Sequence, residues 1–399
     1  MCDDLELAPR ADAGFDVTRN GCRRAERGFA RAPLAPTPRV AGRESNFETA
    51  VKHAARLLRG ARQPHFAGLG TDVDGMRAAV DLAERCGASL DHAHGETLAA
   101  MNRVLQTRGW YATTLSEVRN RADHIVLIGL DLEQRYENLV SRCLRPAASL
   151  EAARREGRRI TALGPRPAPA AALPAEHLRC AQEDLVGALH ALLGLLKGTA
   201  PDARRVGSLA LTKLAALAEA LRAAQYVTLV FAPGALAAPR EPALTLLCEL
   251  VDELNRGGRA ALLPLGGDDG AQTAQSTCAW LTGYPLRLRL GRRLDYQPQA
   301  LATARVLAQG GADALLWIDA FGTLGTPPAG VSAARSVVLG AAAPDTDCEV
   351  FIPVGTPGLD YAARLLRTDA VVSLPLAAQR ARDLPAVASV LRALLAEMR

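Results

Sequence analysis

Two rhythms of apolar positions alternate along most of the chain. Ala50, Ala54, Leu57 and Leu58 recur at helical spacing behind Ser45-Asn46-Phe47-Glu48, which has the S-x-x-E form of a capping box; together they predict a helix over Phe47–Ala61. Short unbroken apolar runs predict strands at His65–Leu69, Ala88–Leu90, Asp123–Gly129 and Arg159–Leu163. The second half adds Tyr226–Phe231, Ala260–Leu263, Ala314–Ile318, Ser336–Leu339 and Glu349–Ile352. Amphipathic stretches between them predict helices at Asp74–Cys86, stopped by Gly87, at Thr212–Ala224, and at Ala243–Asn255, stopped by Gly257-Gly258. Strands that are apolar throughout and alternate with helices specify mostly parallel, doubly wound α/β sheets covered on both faces. The first residues stand apart. Leu5-Glu6-Leu7 and Phe15-Asp16-Val17 alternate apolar and polar around a turn and predict a small hairpin, followed by an extended linker at Pro33, Pro36 and Pro38. Pro165–Pro174 reads as a loop.

A length of 399 residues exceeds one ordinary core and predicts two or three lobes. The formal charge of +5 is carried by scattered arginines, with Lys52, Lys197 and Lys213 the only lysines. That pattern argues against a nucleic-acid partner, which needs basic side chains gathered on one face. Leu185–Leu196 is the run nearest to a membrane span, and it is too short to cross a bilayer. Met1-Cys2-Asp3-Asp4 places acid where a secretory signal needs positive charge, so a cytoplasmic location is expected. The eight cysteines are spread along the chain without a CxxC pair, as expected of reduced thiols rather than a disulfide framework.

The general catalytic motifs are missing from the sequence: there is no GxGxxG, P-loop, GxSxG or HExxH. Gly266-Gly267-Asp268-Asp269-Gly270 is glycine-rich, but its adjacent carboxylates would repel a phosphate, and it is better read as a turn after a strand. Asp91-His92-Ala93-His94-Gly95-Glu96 is the most polar cluster following a predicted strand. His92 and His94, with Asp91 and Glu96, could be drawn as a metal site; the competing reading is a hydrogen-bonded surface loop.

Several blocks, in order, carry a family resemblance. Cys2-Asp3-Asp4-Leu5-Glu6-Leu7 and Asn20-Gly21-Cys22 open the series, followed by His65–Leu69 with its helix, by Asp91–Gly95 and by Thr114–Asp123 with the Ile125–Gly129 strand. Thr282-Gly283-Tyr284-Pro285, Leu315-Trp317-Ile318-Asp319 and Ile352–Gly358 complete it. The chain resembles the B subunit of formylmethanofuran dehydrogenase, of the molybdopterin oxidoreductase superfamily, and is most similar to the B subunits of bacterial formyltransferase/hydrolase complexes. The resemblance implies a molybdopterin-oxidoreductase-like α/β fold with two α/β domains behind a short N-terminal β segment. It implies a hairpin segment over 1–44, a main domain over 45–92 and 205–399, and an inserted domain over 93–204.

The departures from that family set the functional expectation. In the family a Cys-rich segment holds a [4Fe–4S] cluster, which needs four thiolates. Here only Cys2 and Cys22 match ligand positions, so they are expected to be vestigial. A Cys-His-Gly segment supplies the family's tungsten or molybdenum ligand and a catalytic histidine; the matching residues here are Ala93, His94 and Gly95. Near the C-terminus a Gly-rich turn before an R-x-D step is matched by Tyr361-Ala362-Ala363-Arg364 and Arg367-Thr368-Asp369. No catalytic residue, metal or cofactor is therefore expected in this chain. The implied role is a structural subunit of a complex that converts formyl-tetrahydromethanopterin to formate through a methanofuran-like carrier. Its implied partners are a formyltransferase subunit, an amidohydrolase-like hydrolase subunit and a C-type subunit, with neither nucleic acid nor membrane. The alternative is a working molybdenum or tungsten oxidoreductase with a substitute ligand. An emptied cofactor cavity is expected to be filled, because apolar voids cost roughly 24 cal/mol per Å³.

Overall fold

A computed structural model describes residues 4–31, 36–132, 135–150, 157–165, 173, 175–199 and 201–398. Cys2, Pro33 and most of Pro165–Pro174 lie outside the described residues. The chain divides into two compact units, Met1–Pro33 with Ala100–Gly266, and Leu34–Ala99 with Gly267–Arg399.

The first unit is built on a five-stranded parallel sheet in the order Arg259–Pro264, Tyr226–Phe231, His124–Ile128, Arg159–Gly164, Glu176–Arg179. The central strands are apolar at nearly every position because both faces are covered. Val126, Ile128, Leu229 and Phe231 pack on one face against the helices Leu185–Leu196, Leu211–Ala223 and Glu241–Leu254. Ile125, Leu127 and Val230 pack on the other with the short helix Leu115–Arg121. The run nearest to a membrane span thus forms a core helix, and no helix among the described residues is long and apolar enough to cross a membrane.

The Arg119–Asp123 stretch earns its residue types in this unit. Asp123 accepts from the backbone N–H groups of Gln225 and Tyr226, both at 2.8 Å, fixing the start of the neighbouring strand. The carbonyls of Arg119 and Ala122, at the end of their helix, receive the buried guanidinium of Arg158 at 2.9 and 2.7 Å. A cation there satisfies orphan carbonyls and complements the helix dipole. The N-terminal hairpin, Glu6–Pro9 against Phe15–Arg19, is antiparallel as expected.

The second unit holds a nine-stranded sheet. Its parallel centre runs Ser89–Leu90, Pro64–Gly70, Ala314–Asp319, Ser336–Gly340, Val350–Pro353. Antiparallel pairs finish both edges: Leu288–Arg289 with Asp295–Tyr296, and Arg39–Val40 with Arg43–Glu44. Successive strand residues face opposite ways. Leu316 and Ile318 enter the core under the helices Phe47–Arg59, Val73–Cys86, Ala271–Thr282 and Val387–Glu397. Leu315 and Trp317 join a smaller cluster with Ala67, Val338 and Phe351 on the opposite face.

The domain boundaries differ from the expected ones. Tyr226–Phe231 and Arg259–Pro264 hydrogen-bond into the sheet of His124–Ile128, so residues 205–266 belong with the first unit and not with 267–399. Pairing partners far along the chain decide membership, and local sequence carries no trace of them. Residues 93–99 group with the second unit, and the hairpin groups with the first.

One cap also differs. The helix Phe47–Arg59 begins at Asn46, whose side chain accepts from the Thr49 backbone N–H at 2.8 Å, so Ser45 is not the cap. Asn46→Ala is therefore expected to lower stability by about 1 kcal/mol, and Ser45→Ala to stay within about 0.5 kcal/mol of the parent, in thermal or urea unfolding.

Candidate functional site

In the second unit the strand Pro64–Gly70 continues to Ser89–Leu90 on one side, while Ala314–Asp319 and its successors build outward on the other. The strand order thus reverses between Pro64–Gly70 and Ala314–Asp319, which run parallel, and such switch points, at carboxyl strand ends, are where α/β folds place their ligands. The Asp91–Glu96 cluster and the Asp268–Gly270 turn both lie at this end. Ala93 N–H donates to Gly68 O at 3.1 Å, and Ala320 N–H donates to Gly70 O at 2.8 Å. A Cβ on Gly270, whose φ is +77°, would stand 2.7 Å from Thr71 O, so only glycine lets the turn approach this closely.

Asp91 is the hub of the site. Its buried carboxylate accepts from Arg287 Nε at 3.1 Å, Thr303 N at 2.8 Å, Thr303 Oγ1 at 3.0 Å and its neighbour His92 N at 3.0 Å. Arg287 continues to Glu96 Oε1 at 2.7 Å and to Pro298 O at 2.8 Å. Burial raises the Asp91 pKa, while Arg287 and Thr303 act in the opposite direction. Gly95 is obligatory beside it, since a Cβ there would lie 2.1 Å from Asp91 Oδ1.

The histidines are fixed by the same network. Thr303 gives its hydroxyl proton to Asp91, so His65 Nε2 must donate to Thr303 Oγ1 (3.0 Å) and His65 Nδ1 accepts from Ser89 Oγ (2.8 Å). His92 Nδ1 accepts from the His94 backbone N–H at 3.0 Å, which leaves its Nε2–H to donate to Asp269 O at 3.2 Å. Both rings are neutral, and burial pushes their pKa values down to about 4 for His65 and about 3 for His92. His94, about two-fifths exposed, pairs through Nε2 with Asp269 Oδ2 at 2.8 Å. Thr323 Oγ1 donates to Asp269 Oδ1 at 2.6 Å.

Three non-glycine residues here have left-handed backbones: Leu69 at φ +54°, Asp269 at +53° and Arg287 at +69°. Such strain costs about 1–3 kcal/mol each and is concentrated in ligand clamps and active sites.

Each expected residue can now be placed. Ala93 is exposed, and its methyl group offers no electron pair to a metal. His92 has both ring nitrogens committed, and Asp91 both oxygens. Among the described residues no group of three or more His, Cys, Asp or Glu side chains is arranged to hold a metal ion. Ala93 does not fit the ligand position of a tungsten or molybdenum centre bound through a cysteine, the binding that the family resemblance implies. Cys22, partly buried, precedes the helix Arg23–Phe29 in the first unit, and Cys2 lies outside the described residues. Arg367 folds back on Asp369, with Nε–Oδ1 at 2.8 Å. Tyr361 directs its hydroxyl at Asp72 Oδ1 at 3.4 Å. Chemically, an imidazole oriented by a carboxylate can move a proton, but the hydroxyl beside it, on Thr323, is spent on Asp269.

Neither Arg287 nor Thr303 was expected from the sequence, and His65 was expected only as the first residue of a strand. Asp269 was read only as part of the glycine-bounded turn Gly266–Gly270, and Arg287 and Thr303 carry no local signature.

Two α/β units, one sheet parallel throughout and the other parallel at its centre, with a polar loop at the carboxyl strand ends, define an open α/β class. No family model matches the chain. The B subunit of the formyltransferase/hydrolase complex Fhc from Methylorubrum extorquens is 31% identical over 324 residues, spanning 80% of this chain and 85% of that protein. The B subunit of tungsten-containing formylmethanofuran dehydrogenase 2 from Methanocaldococcus jannaschii is 28% identical, over 79% of this chain and 75% of that protein. A crystal structure of the Methylorubrum extorquens complex FhcABCD with methylofuran contains a chain that superimposes with a TM-score of 0.77 at 28% identity. That match covers 91% of this chain and 98% of that chain. The chain belongs to the family of formyltransferase/hydrolase complex and formylmethanofuran dehydrogenase B subunits.

Two outcomes follow for the network. Arg287→Ala leaves a charge buried on Asp91 and is expected to lower unfolding stability by about 3–5 kcal/mol in urea titration. His65 and His92 have folded-state values below the unfolded value of 6.5, so their contribution is full above pH 6.5 and lost as pH falls towards about 4 and about 3. Each steepens the fall by ~1.4 kcal/mol per pH unit in that window. Buried Asp91, shifted upward, acts in the opposite sense. His65→Gln isolates the histidine term: its stability–pH slope near pH 5 is expected to be shallower by one proton.

Proposed function

We propose that the chain is a non-catalytic structural subunit of a formyltransferase/hydrolase complex. The complex would convert formyl-tetrahydromethanopterin to formate through a methanofuran-like carrier in the cytoplasm. The single observation carrying this reading is Ala93, a methyl group at the position where the dehydrogenases of the family place their metal-binding cysteine. An alanine methyl cannot replace that thiolate, so on this reading the chain has no metal centre at which to run redox chemistry. Acyl transfer and amide hydrolysis need no electrons, so the chemistry falls to the formyltransferase and amidohydrolase-like partners, with a C-type subunit beside them.

The alternative oxidoreductase needs a substitute ligand. His92 and Asp91 are already committed to the framework, which leaves His94, and His94 is paired with Asp269. A hydrolase reading would put the His94–Asp269 pair to work as a proton acceptor. Two measurements separate these readings. Tungsten, molybdenum and iron per chain, assayed after anaerobic isolation from the native host, are expected near zero; stoichiometric tungsten or molybdenum would overturn the structural reading in favour of the oxidoreductase. His94→Ala in the assembled complex is expected to leave formate release unchanged, and a loss of about a hundredfold or more, typical of removing a general base, would establish the hydrolase.

A further inference from the structure

The second unit carries an apolar, aromatic surface away from the His92–His94 loop. The helix Ala271–Thr282 ends with Trp280 63% exposed and Leu281 47% exposed. Its C-terminal turn is closed by Gly283, and Thr282 Oγ1 accepts from Tyr284 N–H at 3.1 Å, which sets Tyr284 beside the helix end. The Tyr284 ring, 43% exposed, lies 5.5 Å from that of Tyr296, on the outermost strand of the nine-stranded sheet. The hairpin joining Leu288–Arg289 to Asp295–Tyr296 then presents Arg292, Arg293 and the 46%-exposed Leu294 at its exposed tip.

Folding this chain gives no reason for that composition. An edge strand is ordinarily protected by charge or by cover, and large aromatics left in water forgo their burial. Trp, Tyr and Arg are the residue types that anchor protein interfaces, while the bulk surface is depleted of them. The charge decides the occupant. From Leu288 to Tyr296 there are three arginines and one aspartate, and Arg292 and Arg293 have no carboxylate partner among the described residues. A second copy of the chain meeting this face across a two-fold axis would set the tip arginines against themselves. A partner with acidic residues around an apolar pocket meets no such penalty, and charge complementarity would speed its docking.

We infer that Trp280, Leu281, Tyr284 and the 288–296 hairpin form the docking surface for a different protein subunit, one that presents an acid-rimmed apolar pocket. The inference rests on the structural-subunit reading above and adds where the contact is made and with what chemistry.

The test uses the chain produced together with the other subunits of its complex, with the assembly mass read by native mass spectrometry at low and high salt. Trp280→Asp with Tyr284→Asp is expected to weaken assembly by roughly thirty-fold or more, the loss typical of interface anchors. Arg292→Glu with Arg293→Glu is expected to weaken it and to reduce its salt dependence. Leu150→Asp, a more exposed apolar position in the first unit, should leave assembly unchanged, and each variant's thermal melt reports whether it folds. If the parent chain assembles and both patch variants assemble as well as it does, the docking surface is wrong while the subunit reading stands. If the parent chain joins no partner, the subunit reading fails and the docking surface falls with it. Assembly of the parent into copies of itself through this face would also overturn the inference.

Discussion

The Asp91 carboxylate is the constraint on which the strand-end architecture of the second unit depends. A buried carboxylate is costly unless nearly all its lone pairs are met by donors. Here the donors come from three separate stretches: its own loop, Arg287 beside the antiparallel edge, and Thr303 at the start of the helix Thr303–Ala308. Meeting that one charge fixes the relative positions of all three. The consequences spread outward, because Thr303 sets the His65 tautomer and the turn at His92 sets that of His92. Gly95 must be glycine for the loop to close over the carboxylate at all.

That framework has the properties of a ligand cradle and the occupancy of a structural joint. Left-handed backbones at Leu69, Asp269 and Arg287 cluster where an α/β sheet ordinarily binds its ligand. Yet the polar groups that would face a ligand are turned on one another: His94 to Asp269, Asp269 to Thr323, His92 to the backbone of Asp269. Under the proposed reading, the scaffold was kept because its strain and hydrogen bonds are mutually compensating. Removing the metal ligand from such a site leaves most of its folding energetics intact, while removing Asp91 or Arg287 would not.

How much of this could be read from the sequence follows from the range of each interaction. Tyr226–Phe231 was legible to the residue because a strand covered on both faces must be apolar throughout. The helix Phe47–Arg59 was legible from its periodicity, although the choice between Ser45 and Asn46 as cap depends on one local turn. The loop at Asp91–Glu96 stood out by polarity alone. Its partners did not, because Asp269, Arg287 and Thr303 lie 175 to 212 residues further along, and even the Gly266–Gly270 turn, noticed for its glycines, carries no sign that it meets this loop. The unit boundary at Gly266 was missed for the same reason, since the pairing that decides it spans more than a hundred residues.

Under the proposed reading, a chain that keeps this fold without redox chemistry is held by something other than turnover. Internal stability alone does not account for Trp280, Leu281 and Tyr284 in solvent, because replacing them with polar residues would leave the core of the unit unaltered. Nor does it account for two arginines at a hairpin tip with no carboxylate partner among the described residues. Both features are explained if the free chain is not the selected state. The Asp91 network then has a second consequence: Arg287, bound to Asp91 and Glu96, lies immediately before the hairpin strand Leu288–Arg289 and so fixes the base of the surface that carries those residues. The former ligand site and the docking surface would share one rigid support, and retention of the first would follow from use of the second.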